Sequence, residues 1–164
     1  MTWAILIVAG WLAGSMPFGY WLVRIAKGVD IRSVGSGNIG ASNVWRTYGR
    51  YYGLPVMLLD ILKGLVPALV ATQVSGHLAG VLAGAAAMFG HYRPVFLGFA
   101  KGGKMVATTG GVLFGVAPVV GGIGSAVWIA VFLLTRYASV ASIVATASLP
   151  ALAYGIGEPW PVIV

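Results

Sequence analysis

The residues able to do chemistry in this sequence are few and fall into small groups. Residues 34–46, VGSGNIGASNVWR, set Gly35, Gly37 and Gly40 in a G-x-G-x-x-G spacing. Ser36, Asn38, Ser42 and Asn43 add neutral donors there, and Arg46 adds a fork that grips phosphate with two N–H groups. Residues 98–104, GFAKGGK, set Lys101 and Lys104 around Gly102 and Gly103. Asp60 and Lys63 stand three apart inside an apolar run, which puts both on one helix face. His91, at the end of another apolar run, is the residue type most used as a general base. Arg136, Ser139 and Ser142 form the last group.

Both glycine spacings match nucleotide fingerprints, and both fail on context. A dinucleotide site needs a strand before the first glycine and a helix after it, within a βαβ unit. Here the neighbours are long apolar runs. The second stretch fits G-x-x-x-x-G-K, but Met105 stands where a Ser or Thr would hold magnesium. The physics common to both survives: glycine lets backbone N–H groups close on anionic oxygens without a nucleotide fold. Two glycine-rich cationic loops therefore point to a site for one or two phosphate groups. The competing reading is ordinary turns carrying charges that orient the chain in a membrane.

The remaining groups keep two readings each. A charge within a bilayer costs about 2.5–3.5 kcal/mol, so Asp60 and Lys63 are either an ion pair supporting the loops or part of the site. His91 is either a base or a hydrogen-bonded residue at a helix end. His77 and Glu158 fall on the opposite face and read as inert.

What must position these groups is a set of membrane spans. Of 164 residues, 59% are hydrophobic and 8% charged, and the charges cluster between apolar runs. Several runs can cross a hydrocarbon core of about 30 Å, so the chain reads as one unit, 1–164, an all-α integral membrane protein. The net charge of +7 suits membrane orientation and an anionic small substrate; there is too little soluble surface for nucleic acid. Absence of cysteine removes thiolate nucleophiles and disulfides, and two distant histidines argue against a metal.

The spans read as residues 3–25, 53–72 and 78–96, then 110–135 and 140–156, with PWPVIV opening another. Arg24, Lys27, Arg32, Arg46 and Arg50 share the first loop, and Arg93, Lys101 and Lys104 share the loop after the third span. The positive-inside rule makes both loops cytoplasmic and the N-terminus external. Arg136 joins that face if residues 110–135 fold back near Pro118, Gly121 and Gly122 as two short helices. Gly10, Gly14, Gly76, Gly80 and Gly84, at four-residue spacing, read as close helix packing in a compact bundle.

Four stretches, GSGNIGASNVWR, DILKG, GHYRPVFLGFAKGGKMVAT and RYASVAS, together resemble the bacterial acyl-phosphate:glycerol-3-phosphate acyltransferases, in order and over nearly the whole chain. The resemblance implies about seven transmembrane helices, some short or broken, in the bacterial plasma (inner) membrane with a cytoplasm-facing site. It implies transfer of a fatty acyl group from acyl phosphate to the 1-hydroxyl of glycerol 3-phosphate. The products would be lysophosphatidic acid and phosphate, opening phospholipid synthesis without cofactor or metal. Ser36 and Arg46 would then orient substrate phosphate, and Gly37, Asn38, Gly40, Ser42 and Asn43 would shape the first loop. Gly102, Gly103 and Lys104 would hold a phosphate from the second loop, with Lys101 beside them. Ser142 and Ser139 would contribute from the third group, with Asp60, Lys63 and Arg136 in support.

Two departures from the family's pattern stand out. Ala100 is inserted in the second loop, and Met105 replaces a glycine. The family's last motif, a His and an Asn, would lie beyond Val164, which leads to an expectation of weak or absent activity in this form. A rival from another class is a small transporter or channel for an organic phosphate, using the same cationic loops. A noncatalytic membrane scaffold is a third.

Overall fold

The computed structural model describes residues 1–163. Helices α1 (Thr2–Gly14), α2 (Phe18–Lys27), α3 (Ala41–Tyr48), α4 (Arg50–Ser75) and α5 (His77–Tyr92) make up the first part. Helices α6 (Val106–Val116), α7 (Pro118–Thr135), α8 (Ala138–Ile156) and α9 (Trp160–Ile163) follow. No strand occurs among the described residues, which removes the scaffold both nucleotide fingerprints need. Large apolar side chains such as Leu58, Val66, Leu134 and Ile143 face outward, the pattern of a bundle dissolved in lipid. Four segments are long and apolar enough to cross a membrane: 2–27, 50–75, 118–135 and 138–156.

Lipid tails provide no hydrophobic drive between helices, so these approach through small residues. Gly10 lies on the backbone of Ala83 and Gly14 on that of Ala87, so α1 and α5 run the same way. Gly64 lies on Thr108, Gly111 on Ile61 and Gly115 beside Leu65 and Leu69, so α4 and α6 also run the same way. The loops joining α2 to α4 and α5 to α6 therefore open at one end of the bundle. Gly76 is the exception among the spaced glycines: it makes the α4–α5 turn, with φ +84°.

The first apolar run is not one straight span, contrary to the reading of residues 3–25. Ser15, Met16 and Pro17 separate α1 from α2. Pro17 has no N–H to continue the ladder, while the Ser15 amide bonds Trp11 and the Met16 amide bonds Ala13. The α2 helix buries only Gly19 and Val23 and turns Arg24 and Lys27 outward.

The expected break between Gly110 and Thr135 is present. Ala117 and Pro118 part α6 from α7, and Gly121 returns to within 3.0 Å of the Phe114 amide nitrogen, measured from a Cβ built on the glycine. A helix running straight through Ala117 would hold those residues far apart, so the chain turns sharply there and α7 packs back on the end of α6. Two short helices are not what forms, however. The 11 residues of α6 span about 16 Å, while the 18 of α7 span about 27 Å.

Candidate active site

The first loop is built by one side chain. Asn43, on α3, is 3% exposed. Its Oδ1 accepts from the Ser36 amide at 2.9 Å, and its Nδ2 donates to the carbonyls of Ile31, Val34 and Asn38. Gly35 has φ +59°, and a Cβ there would run into Asn43 Oδ1, so the loop needs glycine at that point. Asn38 Oδ1 closes a second turn on the Gly40 amide at 2.7 Å. Beneath lie Val23, Ile31, Ile39, Val44 and Val56, a buried apolar cluster that ties the loop to α2, α3 and α4. Asn43 and Val44 face this cluster, so Ser42, Trp45 and Arg46 on the same short helix face outward.

Two of the loop's three glycine amides, those of Gly37 and Gly40, are not open to phosphate as the spacing suggests. The Ser36, Gly37 and Gly40 N–H groups are bonded within the loop, to Asn43, Val34 and Asn38. What the loop offers outward is side chains: the Ser36 and Ser42 hydroxyls, the Asn38 amide nitrogen and Arg46.

The second loop is laid down by its backbone. The Gly102 amide donates to Tyr92 O and the Gly103 amide to His91 O, both at 2.9 Å, which caps the last carbonyls of α5. A Cβ on Gly103 would collide with the His91 imidazole, and one on Gly102 with His91 O. These glycines hold the loop against α5 and leave Lys101 and Lys104 exposed. Aromatic rings fasten the outside: Phe99 stacks on Trp11 with centroids 6.1 Å apart, and Phe96 meets Trp21 at 5.9 Å. Met105 takes the left-handed conformation, φ +65°, at the start of α6. That is the conformation glycine would adopt freely, and it accounts for the glycine of the family's pattern.

Under both loops sits a buried polar cluster. Lys63 Nζ lies 2.7 Å from Asp60 Oδ1 and donates to Met16 O at 2.9 Å, in the α1–α2 break. His91 Nδ1 is 3.8 Å from the same Asp60 oxygen. A Cβ on Gly40 would stand 4.0 Å from Asp60 Oδ2, so the first loop reaches this cluster just as the second does through Gly103. Leu97, from the second loop, packs on the first loop's apolar cluster. The two loops therefore converge. His91 is 3% exposed and covered by Gly103, so its ring supports the second loop from below and does not face the loop surface as a base would.

The cations sort themselves. Arg24 caps α2 through Gly28 O, and Lys27, Arg32, Arg50 and Arg93 lie over Tyr52, Tyr20, Tyr51 and Tyr92. Arg32 also pairs with Asp30 at 2.7 Å; this hydrogen bond holds the Asp30 carboxyl below its ordinary value against the opposing effect of burial. With Lys63 paired, the cationic side chains without a hydrogen-bond, ion-pair or ring partner among the described residues are Arg46, Lys101, Lys104 and Arg136. All of these were expected at the site from sequence.

The third group stands apart. Ser142 Oγ accepts from Trp128 Nε1 at 3.0 Å and donates to Ala138 O at 2.8 Å, which occupies it in joining α7 to α8. Ser139 and Arg136 are exposed nearby. Sequence reasoning missed Ser15 and Thr108, fully buried with hydroxyls unpartnered among the described residues. Ser15 lies against Gly90, next to His91, and Thr108 against Gly64, next to Lys63. The only trace of Ser15 in the sequence was the S-M-P interruption of an apolar run.

The glycerol-3-phosphate acyltransferase family matches residues 4–164. The chain belongs to this family. A glycerol-3-phosphate acyltransferase of Desulforudis audaxviator is 49% identical over 94% of this chain and 78% of that protein. One from Aquifex aeolicus is 47% identical over 94% of this chain and 80% of its own length. A crystal structure of PlsY, an integral membrane glycerol 3-phosphate acyltransferase, in its glycerol 3-phosphate form superposes with a TM-score of 0.93. It is 44% identical and covers 99% of this chain and 82% of that one. The lysophosphatidic acid form of PlsY superposes at 0.91 with 43% identity, covering 99% of this chain and 81% of that chain. As a glycerol-3-phosphate acyltransferase family member the chain is a membrane acyltransferase, and the transporter and scaffold readings give way.

Proposed function

We propose that the protein transfers a fatty acyl group from acyl phosphate to the 1-hydroxyl of glycerol 3-phosphate. The products are lysophosphatidic acid and inorganic phosphate. The observation that carries this reading is the pairing of two convergent loops with the cations left unpartnered on them, Arg46 on one and Lys101 and Lys104 on the other. Two phosphate-bearing reactants supply the matching negative charge.

An acyl phosphate is a mixed anhydride with a good leaving group, so a covalent enzyme intermediate is unnecessary, in keeping with the absence of cysteine. The glycerol hydroxyl attacks the acyl carbonyl, the carbonyl carbon–oxygen bond to phosphate breaks, and phosphate leaves with the electron pair. The hydroxyl proton passes to a substrate phosphate oxygen, since Gly103 covers His91. Arg46 and Ser36 orient one phosphate, with Ser42 and the Asn38 amide within the same surface. Lys101 and Lys104 neutralise the other as its charge develops. The acyl tail fits the apolar groove of about 370 Å³ between α1 and α4, lined by Ala9, Ala13, Met16, Phe18, Leu62 and Val66. The loop end faces the cytoplasm of the bacterial inner membrane and the N-terminus lies outside, following the placement of the basic residues.

The test is direct: purified protein reconstituted in sealed lipid vesicles receives acyl phosphate and labelled glycerol 3-phosphate. Appearance of labelled ester, dependent on acyl phosphate, is expected. Uptake of glycerol 3-phosphate into vesicles without ester would replace the reading with transport.

A further inference from the structure

Asp60 stands where the parts of this site meet. Its Oδ1 holds Lys63 Nζ at 2.7 Å and lies 3.8 Å from His91 Nδ1. Its Oδ2 lies near Gly40 of the first loop, 4.0 Å from where a Cβ on that glycine would stand. Lys63 carries the connection to Met16 O in the α1–α2 break, and His91 carries it to the second loop, its carbonyl taking the Gly103 N–H and its ring lying beneath Gly103. Asp60 and Lys63 are 2% and 5% exposed, so both lie below the loop surface, and Lys63 also lines the groove between α1 and α4. A pair that served α4 alone would be replaceable by apolar residues of like volume at little cost in stability. This one is ringed by the two loops that carry the site and by the α1–α2 break.

Resting on the acyltransferase reading, we propose that Asp60 is a positioning residue of the reaction. Its carboxylate, fixed by Lys63, sets the first loop through Gly40 and the second through His91, and thereby the separation of Arg46 from Lys104. Positioning chemistry is sensitive to such a setting: a misplacement of about 1 Å costs about 100-fold in rate.

The test compares the unsubstituted protein with the double variant Asp60→Leu/Lys63→Met, which removes the pair and leaves no buried charge uncompensated. Asp60→Asn, which keeps the side-chain shape, is the second variant should the first fail to fold. Thermal unfolding, hydrogen exchange at the Gly102 and Gly103 amides, and steady-state kinetics are read on each. The double variant is expected to unfold within a few degrees of the unsubstituted protein. Its Gly102 and Gly103 amides are expected to exchange about tenfold faster. Its kcat/KM for glycerol 3-phosphate is expected to fall about 100-fold. Unchanged exchange, or unchanged turnover, overturns the proposal and leaves the pair as an internal tie of α4. If the unsubstituted protein forms no ester, the acyltransferase reading fails instead, and the exchange comparison alone decides whether Asp60 sets the loops.

Discussion

The two loops at the open end of the bundle each leave cations exposed and are built by opposite means. In the first, one buried side chain, Asn43, satisfies four backbone groups and the loop folds around it. In the second, the backbone binds itself to the last carbonyls of α5, and side chains are excluded where Gly102 and Gly103 cross His91. The first loop therefore fails by losing atoms and the second by gaining them. This difference also explains why glycine-rich loops of similar appearance use glycine differently: Gly35 for a left-handed turn, Gly103 for close approach.

The largest expected effect comes from the second loop. Gly103→Ala drives a methyl into the His91 ring, lifts Lys104 and lowers kcat about 100-fold relative to the unsubstituted protein. Adding His91→Ala to that variant makes room again and recovers stability, which thermal unfolding would register; no recovery would mean the collision is not the cause. In the first loop, Asn43→Ala strands the Ser36 amide and the carbonyls of Ile31, Val34 and Asn38. It should destabilise the protein by about 2–3 kcal/mol, measured by unfolding in mild detergent. Equal tolerance of alanine at 43 and 103 would erase the distinction between the loops.

Met105→Gly should act in the other direction. Relief of the left-handed strain at φ +65° should stabilise the start of α6 by about 1 kcal/mol, offset in part by the greater freedom of glycine in the unfolded chain. A measured loss of stability would show that the Met105 side chain contributes more packing than its backbone costs. The smallest effect concerns Asp30. Its folded value is lowered by Arg32, so its contribution is present above the unfolded value of 3.8 and is lost as pH falls through the lowered folded value. Both partners are partly exposed, so the acid limb of a stability–pH curve should shift only slightly, and not at all in Asp30→Asn.

Much of this architecture was legible before any coordinates. Pro118 marked where the apolar run after the second loop breaks into α6 and α7, because helix breaking is a local property. The Asp60–Lys63 pair was legible from i,i+3 spacing. The break at Ser15–Pro17 was harder, because the apolar character of the run continues across it and only Pro17 signals the turn. What spacing cannot reveal is the partner of each amide. The same G-x-G pattern serves a phosphate nest or an internally bonded loop, and only the fold shows Asn43, Asn38 and Val34 taking those N–H groups. His91 and Gly40 likewise join Asp60 only through tertiary packing of α5 and the first loop on α4.

The central claim is that Arg46 and Lys104 act on one polyanionic assembly between the two loops. A double-mutant cycle with Arg46→Ala, Lys104→Ala and both together, read as kcat/KM for glycerol 3-phosphate and acyl phosphate, tests it most directly. A coupling of about 1 kcal/mol or more, with each single change costing about 10-fold or more, is the expected result. Strictly additive losses would place the two cations on separate, independent tasks and contradict the account.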